Sequence, residues 1–186
     1  MHDAQLAWLS RQAERAEKQK QKVVLFTHHQ PFSYFERQGP KLTEKLGGLL
    51  KSGRLFAWYW GHEHRCVLYD RHPEWGFYGR CVGHGGFPYF RDETARLPDP
   101  SRSRPEFRPT TESTAGWRYS PSRARDATIP KPVPLGHVLD GPNPDVPGYE
   151  SEYGPNGYMS LTFDGGALVE TVHDAGGSIL YEHPLE

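Results

Sequence analysis

Two short apolar runs constrain this chain most. Residues 22–27 (KVVLFT) are β-branched and residues 54–60 (RLFAWYW) are aromatic, and a histidine or a glycine closes each. Runs of this length and composition, bounded by turn residues, read as buried strands. Between them, GPKLTEKLGGLLKSG puts Pro40 at a helix start, Leu42, Leu46, Leu49 and Leu50 on one face, and Gly53 at the stop. Ahead of both, Leu6, Leu9, Ala13 and Ala16 recur at helical spacing behind Asp3, a plausible N-cap, which predicts an amphipathic helix over residues 4–19. Helix–strand–helix–strand is the signature of an α/β or α+β layered domain, in which sites gather at strand ends.

The rest of the chain adds β-structure around a long irregular stretch. RCVLYD and GFYGRCVG flank RHPEWG, which reads as a hairpin looping around Pro73. Symmetric pairing about that loop sets Cys66 opposite Cys81, expected as reduced, half-buried thiols. Residues 91–155 are rich in Pro, Ser, Arg and Gly with little periodicity, which predicts an elaborated loop or partial disorder. GYMSLTFDGGALVETVHDAGGSILYEH then offers three strands separated by DGG and DAGG turns. The 20 Gly and 17 Pro among 186 residues fit a chain made largely of turn and loop around a core of a few segments.

Charge excludes more than it selects. The 22 Lys and Arg nearly cancel the 23 Asp and Glu, so overall balance favours neither nucleic acid nor membrane. Arginines recur from Arg96 to Arg125, read as solvated loop chemistry. The aromatics Trp58, Tyr59 and Trp60 are expected in the core, since nothing basic interleaves them as in a base-stacking surface. No apolar run approaches the roughly 20 residues of a membrane span, the N-terminus lacks a signal-peptide pattern, and two cysteines make no disulfide framework. A cytoplasmic location is expected.

Histidines carry the chemical signal. His62 and His64 follow Gly61 directly, and in extended chain residues two apart share a face, so both imidazoles can converge while Glu63 points away. His28 and His29 end the preceding strand, and neighbouring strand ends lie close in a layered sheet. Three or four imidazoles at one edge favour a metal site, since neutral imidazole is the commonest ligand of this kind. A mononuclear zinc site from His62, His64 and Cys66 is stereochemically conceivable, although Cys66 fits better as a packed hairpin residue. Gly83–Phe90 (GHGGFPYF) reads as a strand-end turn, with His84 near the site only if its strand neighbours the GHEH segment.

Three motifs in order make a specific resemblance: Gln5-Leu6-Ala7-Trp8-Leu9, His28-His29-Gln30-Pro31 and Gly61-His62-Glu63-His64. Together they resemble the C-terminal half of the calcineurin-like metallophosphoesterases, a family that includes the purple acid phosphatases. The likeness covers residues 3–90 well and 155–183 loosely. It implies half of an αββα sandwich, with two divalent metal ions (Mn, Fe or Zn) and a phosphoester substrate. It further implies that His28 and His62 bind one metal and His64 the other, with His29 contacting substrate phosphate. His28 directly follows the strand, whereas the H-x-P spacing favours His29 as the ligand, so both assignments stand.

The family's D-x-H, G-D and G-N-H ligand motifs come earlier in its members, and this chain carries no such half. Asp70-Arg71-His72 lies after the GHEH segment and is read as a solvated turn. The expectation is a fragment holding one partial domain: a core in residues 1–90, a Pro/Arg-rich loop in 91–155 and terminal strands in 156–186. Its function is expected to be metal-dependent phosphoester hydrolysis, with this chain alone inactive. The alternative is a non-catalytic metal-binding or structural half-domain, completed by the missing half or another chain.

Overall fold

The computed structural model describes residues 2–36, 40–99, 104–107, 115–123 and 131–186. The fold is mixed α/β and comprises two compact units. One contains Met1–His62, Leu68–Cys81 and Pro121–Gly136; the other contains Glu63–Val67, Val82–Ser120 and His137–Glu186. Among the described residues, no helix is long and apolar enough to cross a membrane.

In the first unit, α1 (Asp3–Lys18) leads into β1 (Val23–Thr27), then α2 (Pro40–Lys45), α3 (Gly47–Lys51) and β2 (Leu55–Trp60). Helix α1 buries Leu9 and Ala16 and half-buries Leu6 and Ala13, the stripe expected from spacing. His2, rather than Asp3, is the N-cap: its backbone N–H donates to Gln5 Oε1 at 3.0 Å. Asp3 sits in the first turn instead, where its charge favours the positive end of the helix dipole. The single helix expected between the strands is two, broken at Leu46 ahead of the Gly47–Gly48 pair, yet Leu46, Leu49 and Leu50 are all buried. Gly53 ends the segment at φ +67°, a left-handed conformation that favours glycine. Lys20, just past α1, adopts φ 56° without being glycine. Lys20→Gly is therefore expected to raise stability by about 0.5–1 kcal/mol, read as a higher urea midpoint.

Strand order in this unit is β1-β2-β4-β3, with β3 spanning Cys66–Arg71 and β4 spanning Tyr78–Val82. β1 pairs with β2 in parallel, and β2 with β4 in parallel. The aromatic strand β2 is buried throughout, as its composition predicts. β1 is a correction: it lies at the end of the order and is only half-buried, with Phe26 60% exposed. An edge strand has a neighbour on one side only, so apolar composition does not guarantee burial; here the Phe26 ring stacks on Tyr59 at 5.1 Å. Phe32, just after β1, is fully buried and centres an aromatic cluster with Trp60, Tyr69 and Phe77 at 5.1–5.9 Å. Cys66 and Cys81 are reduced, as expected, but wholly buried rather than half-buried.

In the second unit β5 (Gly116–Ser120) and β6 (Gly136–Asp140) are neighbouring strands. Both strands fall within residues 91–155, so that stretch is not simply a loop; its residues 100–103, 108–114 and 124–130 lie outside the described residues. The Asp140 carboxylate anchors the stretch, taking a two-pronged contact from Arg91 at 2.8 and 3.1 Å. The expected terminal meander is present as β7 (Gly157–Asp164), β8 (Ala167–Asp174) and β9 (Ile179–Leu185), paired antiparallel and turning at Gly165 (φ 58°) and Gly177 (φ 92°).

Candidate metal centre

The centre forms where β1 and β2 end together. Their parallel register closes with Thr27 opposite Trp60, and the chains stay side by side for one more step. The carbonyl of His28 accepts the N–H of His62 at 2.8 Å and that of Gly61 at 3.2 Å. The backbone thus brings His28 against His62 across 34 residues of sequence. His29 is fixed by a relay: the Trp58 indole N–H donates to the Thr27 hydroxyl at 2.7 Å, and that hydroxyl donates to the His29 carbonyl at 2.7 Å.

The three rings crowd together. Centroids are 4.8 Å apart for His28 and His29, 4.9 Å for His28 and His62, and 4.6 Å for His29 and His62. Each imidazole offers one nitrogen such that all three lie within 4.8 Å of one another. His28 Nε2 and His62 Nδ1 are 3.0 Å apart. Two nitrogens about 2.0–2.1 Å from one tetrahedral ion are separated by roughly 3.4 Å, so a small outward shift would admit a cation. His28 and His29 are exposed and His62 is half-buried, which leaves the site open on one side. Three imidazoles with an open position suit Zn, Fe, Cu or Ni better than hard, oxygen-seeking ions.

His62 has a second contact. Its Nε2 lies 3.6 Å from Glu36 Oε2, on the opposite edge of the ring from His28. The buried Gln30 side chain donates to the same carboxylate oxygen at 3.2 Å. No periodicity in the sequence marks Glu36; it reaches the site because residues 30–36 turn back on themselves. The Ser33 hydroxyl accepts the N–H groups of Phe35 (2.9 Å) and Glu36 (3.0 Å), and Tyr34 N–H donates to the Tyr69 hydroxyl at 3.2 Å.

The other residues singled out from the sequence fall as follows. Residues 62–65 form a bend rather than extended chain, so the shared-face argument for His62 and His64 does not apply, and Glu63 is buried. His64 belongs to the second unit, exposed, its ring 6.1 Å from Phe87. Among the described residues, the three histidines are the one group of His, Cys, Asp or Glu spaced for an ion, and neither Cys66 nor a carboxylate belongs to it. His29, which the resemblance assigns to substrate phosphate, is grouped with His28 and His62.

His72 is a correction. It is no solvated turn residue but is 1% exposed, stacked on Trp75 at 4.2 Å. Its Nε2 donates to the Pro132 carbonyl at 3.0 Å, while Nδ1 accepts the N–H groups of Glu74 (3.2 Å) and Trp75 (3.1 Å). Those partners define a neutral ring, and burial lowers its pKa to about 4. His84, in the second unit, is also 1% exposed; among the described residues neither ring nitrogen has a hydrogen-bond partner, and desolvation lowers its pKa to about 4.

No protein-family model matches this chain, and no curated protein matches its sequence.

Proposed function

We propose that the chain binds a divalent cation through His28, His29 and His62, and that this site is the strand-end part of a phosphoester-hydrolysing centre. The observation that carries the reading is the convergence of three imidazole nitrogens where two parallel strands end. The carboxyl ends of parallel strands are where α/β sheets bind ligands. The phosphoester part is supported by the ordered motifs at Gln5–Leu9, His28–Pro31 and Gly61–His64. A bound cation supplies a polarised phosphoryl oxygen and a more acidic water. The protein's own contribution is orientation: β1 and β2 hold His28 and His62, the Trp58–Thr27 relay holds His29, and the open side admits an anionic substrate.

A second reading is metal binding without turnover. Among the described residues no carboxylate belongs to the ligand group, so three neutral donors leave a dication uncompensated. A second ion, for which the resemblance assigns His64, would need a bridging carboxylate as well. For this chain alone little or no hydrolysis is expected. The reducing environment expected of a cytoplasmic protein fits its two thiols.

The test is calorimetric titration with Zn²⁺, with Co²⁺ as a visible-absorption probe. One equivalent is expected per chain, and His62→Ala is expected to weaken binding by at least about 100-fold, since losing a ligand costs no less than losing a group that orients one. Absence of binding, or binding indifferent to His62→Ala, overturns the metal reading. Metal-dependent hydrolysis of an aryl phosphate, abolished by His62→Ala, would establish the enzyme; binding with no hydrolysis leaves the second reading.

A further inference from the structure

His62 is held from both edges, and the two edges are chemically different. Nδ1 faces another ring nitrogen, His28 Nε2 at 3.0 Å, whereas Nε2 faces a carboxylate, Glu36 Oε2 at 3.6 Å. A neutral imidazole ligates through one nitrogen and carries its proton on the other. The proton is favoured where an acceptor waits for it, and the lone pair where a second ligand stands. Glu36 is the acceptor and His28 the fellow ligand.

We propose that Glu36 is the positioning carboxylate of this centre, accepting the Nε2–H of His62 and thereby committing Nδ1 to the cation. The inference rests on the metal-binding reading above and assigns one further residue to that site. Glu36 is placed for the role. Its backbone N–H is fixed by the Ser33 hydroxyl, and its Oε2 receives the Gln30 amide at 3.2 Å. Gln30 is 7% exposed and immediately follows His29, so the group that holds the carboxylate is rooted beside the ligands. Glu36 also brings a negative charge to three neutral donors. A carboxylate behind a ligating histidine fixes ring orientation and raises ligand basicity. At 3.6 Å the contact is looser than a hydrogen bond, and metal binding, by placing the ring proton on Nε2, is expected to shorten it.

The experiment compares the wild-type 186-residue chain with Glu36→Ala, Glu36→Gln and His62→Ala. Zn²⁺ affinity is read by competition with a chelator, and the Zn²⁺-loaded proteins by long-range ¹H–¹⁵N imidazole spectra. The expected wild-type spectrum shows His62 with a protonated Nε2 and a metal-shifted Nδ1. Glu36→Ala is expected to weaken Zn²⁺ roughly 10- to 100-fold, and to speed exchange of the His62 Nε2 proton. Glu36→Gln keeps an acceptor without its charge and should fall between. A purely structural role would move thermal unfolding of the metal-free protein instead, which is expected to stay unchanged because Glu36 is exposed. Ligation of His62 through Nε2 overturns the proposal, as does unaltered affinity and exchange in Glu36→Ala while His62→Ala loses binding. If the wild type binds no Zn²⁺, the metal reading and this inference fall together.

Discussion

Metal-free protein taken from pH 7.5 to pH 4.5 is expected to lose about 2–3 kcal/mol of stability through His72, and a similar amount through His84. Both rings are buried and neutral, with pKa values lowered from 6.5 to about 4 chiefly by desolvation. As pH falls through 6.5 the unfolded chain takes up a proton at each position, while the folded protein does not until about pH 4. Stability is therefore full above the unfolded pKa, declines between about 6.5 and 4, and levels off below as far as these groups are concerned. Against a typical total of roughly 5–15 kcal/mol, the combined loss is large. Urea unfolding in the presence of a chelator, at several pH values from 7.5 to 4.5, measures it. His72→Asn is expected to be less stable at pH 7.5, since Trp75 and Phe32 lose a ring partner, but to show a shallower pH slope. A wild-type midpoint that stays constant over this range, or a variant slope equal to the wild-type slope, would refute the assignment.

The second large effect is steric. Gly157 opens β7, and a Cβ there would overlap the His173 carbonyl oxygen of β8 and lie 3.0 Å from His84 Nε2. The first obstacle is backbone within a strand pair, which cannot rotate aside as a side chain can. Gly157→Ala is expected to cost about 3 kcal/mol, the upper part of the range for overpacked sites. Gly166→Ala, in the turn between β7 and β8, is the control: a Cβ there meets nothing within 4 Å among the described residues. Thermal unfolding should separate the two variants by many degrees, since about 1 kcal/mol moves the midpoint of a chain this size by roughly 2–4 °C. Equal midpoints would mean that the meander tolerates a displaced strand end.

Much of the fold was legible where structure is local. The α1 stripe, the buried β2, the hairpin around Pro73 and the glycine turns of the meander each follow from spacing or turn chemistry within a few residues. The gathering of His28, His29 and His62 was also legible, because consecutive strands joined by helices pair in parallel and bring their ends together. Three features were not. β5 and β6 hide in a Pro- and Arg-rich stretch because their strand character comes from sheet neighbours and from the Arg91–Asp140 contact, 49 residues apart. His72 looked solvated beside Pro73, yet its partner Pro132 is 60 residues away. Glu36 carries no periodic signal at all.

The sequence by itself determined α1, β1, β2 and the three terminal strands, and which histidines stand at strand ends, since those depend on side-chain spacing along one short piece of chain. Only the tertiary structure decided the rest: that β1 is an edge, that residues 62–65 bend instead of extending, that His72 is buried, and that Glu36 turns back to His62. Each depends on which distant residues supply the neighbouring surface, and an apolar or polar pattern specifies a face without naming what will cover it.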